Sequence, residues 1–339
     1  MINETVGGMK QVPSEKMWGG VSRNTSTTIK GVWAFIILYH HLIYKIPRLP
    51  LFVEPFKYIA FPIVATFFFF SGYGLYKGLE KGGEKYWDSY FKRRGSRILL
   101  PLLVVEGIWG AFSLCLKRSP ILIIKEMTTI DFIPAMWYIW VSLGVYVVFY
   151  VAFKYFDRNI GIGIMGVSIV AYITIWCFTV KREPMVASIS SVLVGVLVAK
   201  DEKNIVKWLS SRYMCKVVCL GIVSIGLFVL RLIISLKITD DIFVHTALRN
   251  LISCIFVFFV YCVALKIEIK KNILVYIGGI SFEIYLIHPF LIYALTLLEG
   301  SGRSISIAVY LLGVPLITIV LSILFNKGMT LVYKKYKIT

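Results

Sequence analysis

The sequence predicts an all-α fold, that of a polytopic membrane protein with about ten transmembrane helices. Hydrophobic residues make up 58% of the 339 residues and the mean hydropathy is +0.79, both above the values of ordinary soluble chains. Several uncharged apolar stretches are about 20 residues long, the length that a helix needs to cross a bilayer. These stretches lack a polar face with a period of 3.6 residues, which argues against a soluble helical protein.

We divide the chain into one membrane domain, residues 28–325, between two tails, residues 1–27 and 326–339. The sixth span is short. The ninth contains Gly278, Gly279 and Pro289, which predict a helix that bends or breaks within the membrane. The ten predicted spans cover residues 28–46, 58–76, 97–116, 135–153, 159–179, 185–199, 214–236, 246–265, 273–297 and 305–325.

Lysine and arginine are distributed unevenly between the two sides of this map. The side of the N-terminus carries 25 of the 37 basic residues and the other side carries 11, while Arg231 lies inside the seventh span. This asymmetry predicts a protein of the cell (plasma) membrane with both termini in the cytoplasm. It also accounts for the net charge of +19 as a topology signal and a contact with anionic membrane lipids, so no nucleic-acid partner is expected. The six cysteines lack the paired spacing of a metal site.

The first span combines a cation with two imidazoles. Lys30 and His41 are eleven positions apart, which at ~100° per residue brings them to within about 20° of one helix face, roughly 16 Å apart along the axis. His40 points about 80° away from that line. An imidazole inside a span is costly to bury without a purpose. The pattern predicts a basic residue at the membrane surface and a titratable nitrogen, on His41, deeper in the same interior.

A second group of cations precedes the third span. Arg94 and Arg97 are three positions apart, so they share a helix face, and the charge count puts them on the same side as Lys30. Guanidinium groups match the oxygens of a phosphate, so these three cations predict an anion site. The alternative is the topology rule itself, which requires cations here whether or not an anion binds.

Polar residues inside other spans are further candidates. Glu106 lies about nine residues into the third span, where it could orient a histidine, pair with an arginine or only hydrogen-bond a neighbouring helix. Ser281, Tyr285 and His288 lie in the ninth span. His288 precedes Pro289, which frees a carbonyl one turn back, so a local structural hydrogen bond competes with a role in a site. A cluster at the outer end of the eighth span could contact a polar ligand or form only a solvated loop: Asp240, Asp241, His245 and Arg249.

Six segments, in their order and spacing, resemble the acyltransferase-3 family of integral membrane O-acyltransferases. The resemblance extends over about residues 25–325. The segments are Lys30 to His41, Phe70-Ser71-Gly72-Tyr73, Arg94 to Pro101, Trp137-Tyr138-Ile139, the valine- and leucine-rich run around Gly195, and Gly279 to Pro289.

The resemblance implies an enzyme that moves an acyl group, usually acetyl, from cytoplasmic acyl-CoA to a hydroxyl of a cell-surface or lipid-linked carbohydrate, as in polysaccharide modification of the bacterial cell envelope. The family's basic residue and histidine fall on Lys30 and His41, and its paired arginines on Arg94 and Arg97. Its late serine, tyrosine and histidine fall on Ser281, Tyr285 and His288. Acyl-CoA would be a substrate, so no permanently bound cofactor and no metal are expected.

The expected mechanism joins these residues. Lys30, Arg94 and Arg97 would hold the phosphates of the donor at the cytoplasmic face, and the pantetheine arm would reach His41. His41 would act as a general base or accept the acyl group itself. Glu106 is expected to take part in catalysis, where it or Tyr285 would set the tautomer of His41. His40, Ser281 and His288 are expected to support the site.

Two features depart from the family pattern. Lys30 stands where the family commonly has arginine, which keeps the charge but removes the bidentate fork. Trp137 is followed by no acidic residue in the fourth span, which puts in doubt a carboxylate there. The alternative function is a lipid-linked glycan flippase or polymerase, or another polytopic transporter. Such proteins tend to carry internal repeats or long outer loops, and the sequence shows neither.

Overall fold

The computed structural model describes residues 20–46, 51–127, 136–180, 183–237, 241–269, 273–302 and 304–336. These residues form helices and no strand, which confirms the all-α fold. In chain order the helices are α1 (Arg23–Ile43), α2 (Ala60–Gly82), α3 (Tyr90–Cys115), α4 (Pro120–Met127), α5 (Trp137–Lys154), α6 (Arg158–Thr179), α7 (Glu183–Val186), α8 (Ser191–Lys200), α9 (Glu202–Ser210), α10 (Tyr213–Lys237), α11 (Ile242–Leu265), α12 (Ile273–Gly279), α13 (Ser281–Gly300) and α14 (Val314–Lys335).

Seven helical segments of the described residues are long and apolar enough to cross a membrane. They are α3, α5, α6, α10, α11, α13 and the segment Val309–Lys335, in which one π-helical turn leads into α14. An eighth is added if the bent pair Pro184–Lys200 and Glu202–Ser210 is one span. The predicted first two spans form as α1 and α2, with 21 and 23 residues, but they do not reach this apolarity. The chain is a multi-pass membrane protein, and the count of ten spans stays a prediction.

Two predicted spans are interrupted. The ninth breaks at Ile280, directly after Gly278 and Gly279, as the sequence indicated, and Pro289 lies inside α13. The sixth, predicted as residues 185–199, is not one helix, because a turn separates the single turn of α7 from α8, and α9 then bends away by 80°. The ten residues of α8 are too few to cross a bilayer alone.

Helices α2 and α8 cross at a pair of glycines. A Cβ atom on Gly72 would lie 2.1 Å from the carbonyl oxygen of Val192, and a Cβ on Gly195 would lie 2.2 Å from that of Phe69. Both obstructing atoms belong to the backbone, so a change of side-chain rotamer could not make room. Small residues at such crossings let membrane helices approach closely. Gly72 and Gly195, which belong to two of the six segments that carry the family resemblance, therefore allow these two helices to pack closely.

A second close crossing joins α1 to α12. A Cβ on Gly31 would lie 2.8 Å from Cα of Gly278, and a Cβ on Gly278 would lie 1.9 Å from the carbonyl oxygen of Thr27. The crossing lies one residue from Lys30 on α1 and directly before the break that leads into α13. It therefore helps to fix the relative position of α1, which carries His40 and His41, and α13, which carries His288.

Glu202 ties three helices together at the end of α2. Its carboxylate accepts hydrogen bonds from the hydroxyls of Tyr73 (2.5 Å) and Tyr261 (3.1 Å) and pairs with the ammonium of Lys77 at 3.1 Å. Tyr73 and Lys77 belong to α2, Tyr261 to α11 and Glu202 to α9. The tyrosine of the Ser-Gly-Tyr segment therefore holds this end of the bundle.

The α2–α8 crossing predicts the effect of one added methyl group. We expect Gly195→Ala to destabilise the protein by about 1–3 kcal/mol, because the new Cβ overlaps a backbone carbonyl. Gly74→Ala on α2 is the matched control, because a Cβ there meets no atom within 4 Å. The measurement is the midpoint of thermal unfolding in detergent. Equal midpoints for the two variants would contradict the crossing.

Candidate active site

Two cavities lie side by side among α1, α2, α5 and α13. The first has a volume of about 210 Å³ and is here named the Lys30 cavity; its polar lining is Lys30, Ser71, Tyr138, Ser281, Tyr285 and His288. The second has a volume of about 600 Å³ and is named the His41 cavity; its charged and imidazole lining is His40, His41, Lys57, Arg231 and Arg249. Four residues line both cavities: Ile37, Val64, Tyr138 and Tyr285. The cavities are therefore neighbours.

One face of α1 runs along both cavities. Lys30, Ala34 and Ile37 line the first, and Ile37 and His41 line the second. Their spacing of four, three and four residues is that of a single helix face. The face predicted for Lys30 and His41 is thus the one turned to the cavities. His40 lines the second cavity too, although its position in the helix turns it away from that face.

Three histidines are neighbours where the cavities meet. The ring centroid of His41 lies 5.1 Å from that of His40 and 5.1 Å from that of His288. His41 lines the His41 cavity and the buried His288 lines the Lys30 cavity. The contact between α1 and α13 therefore brings together the ring of His41, which lines one cavity, and the ring of His288, which lines the other.

Backbone hydrogen bonds define the protonation of two of these rings. His40 Nδ1 lies 2.8 Å from the carbonyl oxygen of Phe56, and His288 Nδ1 lies 3.1 Å from that of Ile284. A carbonyl only accepts, so Nδ1 is the donor in both rings. The local hydrogen bond that competed for His288 is present, yet it leaves Nε2 buried and without a partner among the described residues. No group of His, Cys, Asp or Glu in the described part of the chain is arranged to hold a metal ion.

Arg94 is enclosed by tyrosines. Its guanidinium donates a hydrogen bond to the hydroxyl of Tyr86 (2.7 Å) and lies over the rings of Tyr90 and Tyr146, 5.1 and 5.2 Å from their centroids. Burial raises the pKa of Tyr86 above its usual value, against the opposing effect of Arg94, so the hydroxyl stays neutral. The aromatic rings hold the guanidinium at the start of α3 through cation–π contacts.

The predicted cluster of three cations is divided between two cavities. Arg94 and Arg97 line a third cavity of about 340 Å³ with Tyr86, Arg93 and Ile98, and Lys30 is not part of its lining. Lys30 instead lines the Lys30 cavity. The reason is that α1 packs against α12 and α13, whereas the first turns of α3 pack against the tyrosines. The sequence predicted one anion site formed by three cations; in the structure Lys30 lines one cavity, and Arg94 and Arg97 line another.

The acidic residues Glu106 and Glu283 of the membrane helices do not line the cavities of the histidines. Glu106 is buried on α3 and does not line either the Lys30 or the His41 cavity. The buried Glu283 on α13 accepts a hydrogen bond from the amide of Asn326 on α14, at 2.6 Å. The rings of His40 and His288 lie beside His41, and no aspartate or glutamate of the described residues lines the Lys30 cavity or the His41 cavity.

The polar cluster predicted before α11 is only partly at a cavity. Asp241 caps α11 by accepting hydrogen bonds from the backbone N–H groups of Phe243 (2.8 Å) and Val244 (2.9 Å), and Asp240 lies outside the described residues. His245 is buried on α11, and only Arg249 lines the His41 cavity.

Sequence reasoning missed several lining residues. Arg231 was recognised as a charge inside a span, but nothing in its own segment indicates that it faces the end of α1. Ser71 and Tyr138 lie in segments that carried the family resemblance, and they line the Lys30 cavity. Ser142 stands at the position of the family's acid, five residues after Trp137, and it does not line the His41 cavity; Trp137 and Tyr138 of the same helix do.

Comparison with known proteins agrees with the residue pattern. The family model described as "Acyltransferase domain" (acyltransferase 3) matches residues 27–326, nearly the whole chain. No curated protein and no solved structure matches the chain.

Proposed function

The chain belongs to the acyltransferase-3 family and is an acyltransferase, and from this premise we propose that it transfers an acetyl group from cytoplasmic acetyl-CoA to a hydroxyl of a cell-surface or lipid-linked carbohydrate. The observation that carries the proposal is the contact of His41 with His288, at 5.1 Å between ring centroids, where two cavities adjoin. A transferase must bring two different substrates to one catalytic group, and this arrangement offers a separate space for each.

The donor enters, in this proposal, along the Lys30 cavity. The adenosine phosphates of acetyl-CoA cannot enter hydrocarbon, but the slim pantetheine arm can occupy a cavity enclosed by protein. Arg94 and Arg97 would bind phosphate at the cytoplasmic surface, and Lys30 would follow deeper in the path. From Lys30 to His41 the helix rises roughly 16 Å, at 1.5 Å per residue.

His41 acts as the general base. Its imidazole nitrogen takes the proton of the acceptor hydroxyl while the hydroxyl oxygen attacks the thioester carbonyl. The new C–O bond forms, the C–S bond breaks, and the thiolate of CoA leaves with a proton returned from the imidazolium. We prefer this route to an acyl-histidine intermediate because the two cavities allow both substrates to be present together.

Neighbouring side chains hold the base in place. His288 donates a hydrogen bond from Nδ1 to the carbonyl of Ile284, and its Nε2 has no hydrogen-bond partner among the described residues. The ring of Tyr285 lies 5.8 Å from the ring of His288, between centroids. We assign these two residues, with Ser281, the role of positioning His41 and the thioester. His40, bound to Phe56, supports the ring of His41 at its edge. Glu106 would act on this site only through the residues between them, because it does not line either cavity.

The reaction has a direction in this proposal. The charge asymmetry predicts that Lys30, Arg94 and Arg97 face the cytoplasm, where acetyl-CoA is available, and we propose that the membrane is the plasma membrane. The His41 cavity includes residues at the end of α1 and the beginning of α2, which belong to the opposite face. The donor is thus taken from inside and the carbohydrate from outside, with no permanently bound cofactor.

Replacing the base tests the proposal. We expect His41→Ala to lower transfer from radiolabelled acetyl-CoA by about 10²–10⁴-fold, the usual contribution of a general base. His40→Ala should retain much more activity, because the Nδ1 of His40 is already engaged with a backbone carbonyl. Both proteins must be inserted and monodisperse. Full activity of the His41 variant would remove this residue from the mechanism.

Lysine substitutions separate donor binding from topology. We expect Arg94→Lys and Arg97→Lys each to raise the donor KM by about ten-fold, through loss of a bidentate contact, with little change in the acceptor KM. Arg94→Lys should also lower the unfolding midpoint, since it loses the contact with Tyr86. Unchanged donor KM in both variants would favour the alternative in which these arginines only direct insertion.

Labelling with a membrane-impermeant maleimide tests the direction. Ser119 and Ser210 are exposed and lie on opposite sides of the predicted membrane. In a background with Cys115, Cys215 and Cys219 replaced, Ser119→Cys should react in intact cells, whereas Ser210→Cys should react only after permeabilisation. The reverse pattern, or labelling of both from outside, would break the proposed route.

A further inference from the structure

The wall of the His41 cavity is cationic. Lys57, Arg231 and Arg249 line it, and the described lining residues include no aspartate or glutamate. Lys57 also approaches Glu54, at 4.0 Å. A cavity lined with one sign of charge concentrates ligands of the other sign. The lining therefore favours a ligand that carries a carboxylate or a phosphate.

The two arginines face the same ring from different helices. Arg231 of α10 and Arg249 of α11 lie over Phe61 of α2, with guanidinium carbons 5.6 and 5.7 Å from the ring centroid. Arg231 is only 8% exposed although it belongs to an apolar helix. An arginine inside a membrane helix is expensive to bury, and such residues mark ligand and ion pathways. Two planar forks beside one ring form a site suited to oxygen atoms of an anion.

The backbone around Arg249 is held in place. The side chain of its neighbour Asn250 donates hydrogen bonds to the carbonyls of Val186 (2.8 Å) and Thr246 (3.0 Å) and accepts one from the N–H of Ser190 (3.3 Å). These bonds join α11 to the turn between α7 and α8. The position of the arginine is therefore organised before any ligand binds, which lowers the entropy lost on binding.

We propose that the His41 cavity binds an anionic carbohydrate, with Arg231 and Arg249 holding its carboxylate or phosphate and a neighbouring hydroxyl facing His41. The aromatic rings of Tyr44, Tyr58 and Trp137 also line the cavity and offer surfaces for a sugar ring. The identification of this carbohydrate as the acceptor rests on the function proposed above. The anion site itself rests only on the residues of the cavity.

Binding to the purified full-length protein, without donor, tests the site. The probes are glucuronate, which carries a carboxylate, pyrophosphate, which represents a lipid-linked diphosphate, and neutral glucose. We expect glucuronate or pyrophosphate to bind and glucose to bind at least ten-fold more weakly, and the affinity for the anion to fall with salt. The tighter of the two anions identifies the source of the charge.

Variants assign the binding to residues. Arg231→Gln and Arg249→Gln should each weaken anion binding by ten-fold or more, while Arg231→Lys should keep part of it. The control is Arg118→Gln, because this partly exposed arginine pairs with Glu126 at 2.6 Å outside the cavity and should leave binding unchanged. If Arg231→Gln fails to fold, as judged by size-exclusion chromatography, Arg231→Lys and Arg249→Gln decide the question.

Three outcomes would overturn the proposal: binding of glucose as tight as that of both anions, unchanged anion binding in Arg231→Lys and Arg249→Gln, or loss of anion binding only in Arg94→Gln. The last would assign the anion to the third cavity, which Arg94 and Arg97 line. Because no acetyl-CoA is present, anion binding can be confirmed even if acyl transfer is not found, and the two proposals can fail separately.

Discussion

The contact of Gly31 on α1 with Gly278 on α12 is the constraint on which the proposed site depends. A side chain at Gly278 would overlap the carbonyl of Thr27, at 1.9 Å from the new Cβ, so any larger residue must push the helices apart. After the break that follows α12, α13 also packs against α1. Because of this close crossing, the rings of His41 and His288 stand 5.1 Å apart, although they come from opposite ends of the chain. The distance between the two histidine rings thus depends on the close packing of the helix backbones that carry them.

Much of this architecture could be predicted from the sequence because it is local. The all-α fold follows from composition and from the length of apolar runs, and the break in the ninth span follows from two adjacent glycines. The relation of Lys30 to His41 follows from helix geometry alone, since eleven positions return to nearly the same face. The hydrogen bond of His288 to Ile284 is also local, one turn back along the helix.

The remaining features depend on contacts between helices distant in sequence. Nothing in α10 indicates that Arg231 lies over Phe61 of α2, and nothing in α3 indicates that Tyr146 of α5, rather than Lys30, lies beside Arg94. The sixth predicted span fails for a related reason. Hydropathy cannot distinguish one helix from a turn followed by a short helix. The turn is stabilised by hydrogen bonds that link it to other helices: the hydroxyl of Ser188 donates to the carbonyl of Phe61, and the hydroxyl of Ser253 donates to the carbonyl of Ala187.

The position of the imidazole pair bears on the order of the proposed reaction. If donor and acceptor had to occupy the same space in turn, an acyl-enzyme would be needed to carry the group between them. Here Ile37, Val64, Tyr138 and Tyr285 line both spaces, and His41 lines one of them while His288 lines the other. Both substrates can then be bound at the same time. The entropy cost of bringing them together is met when they bind, so it does not add to the barrier of the transfer step. A base that only moves a proton is sufficient in such an arrangement.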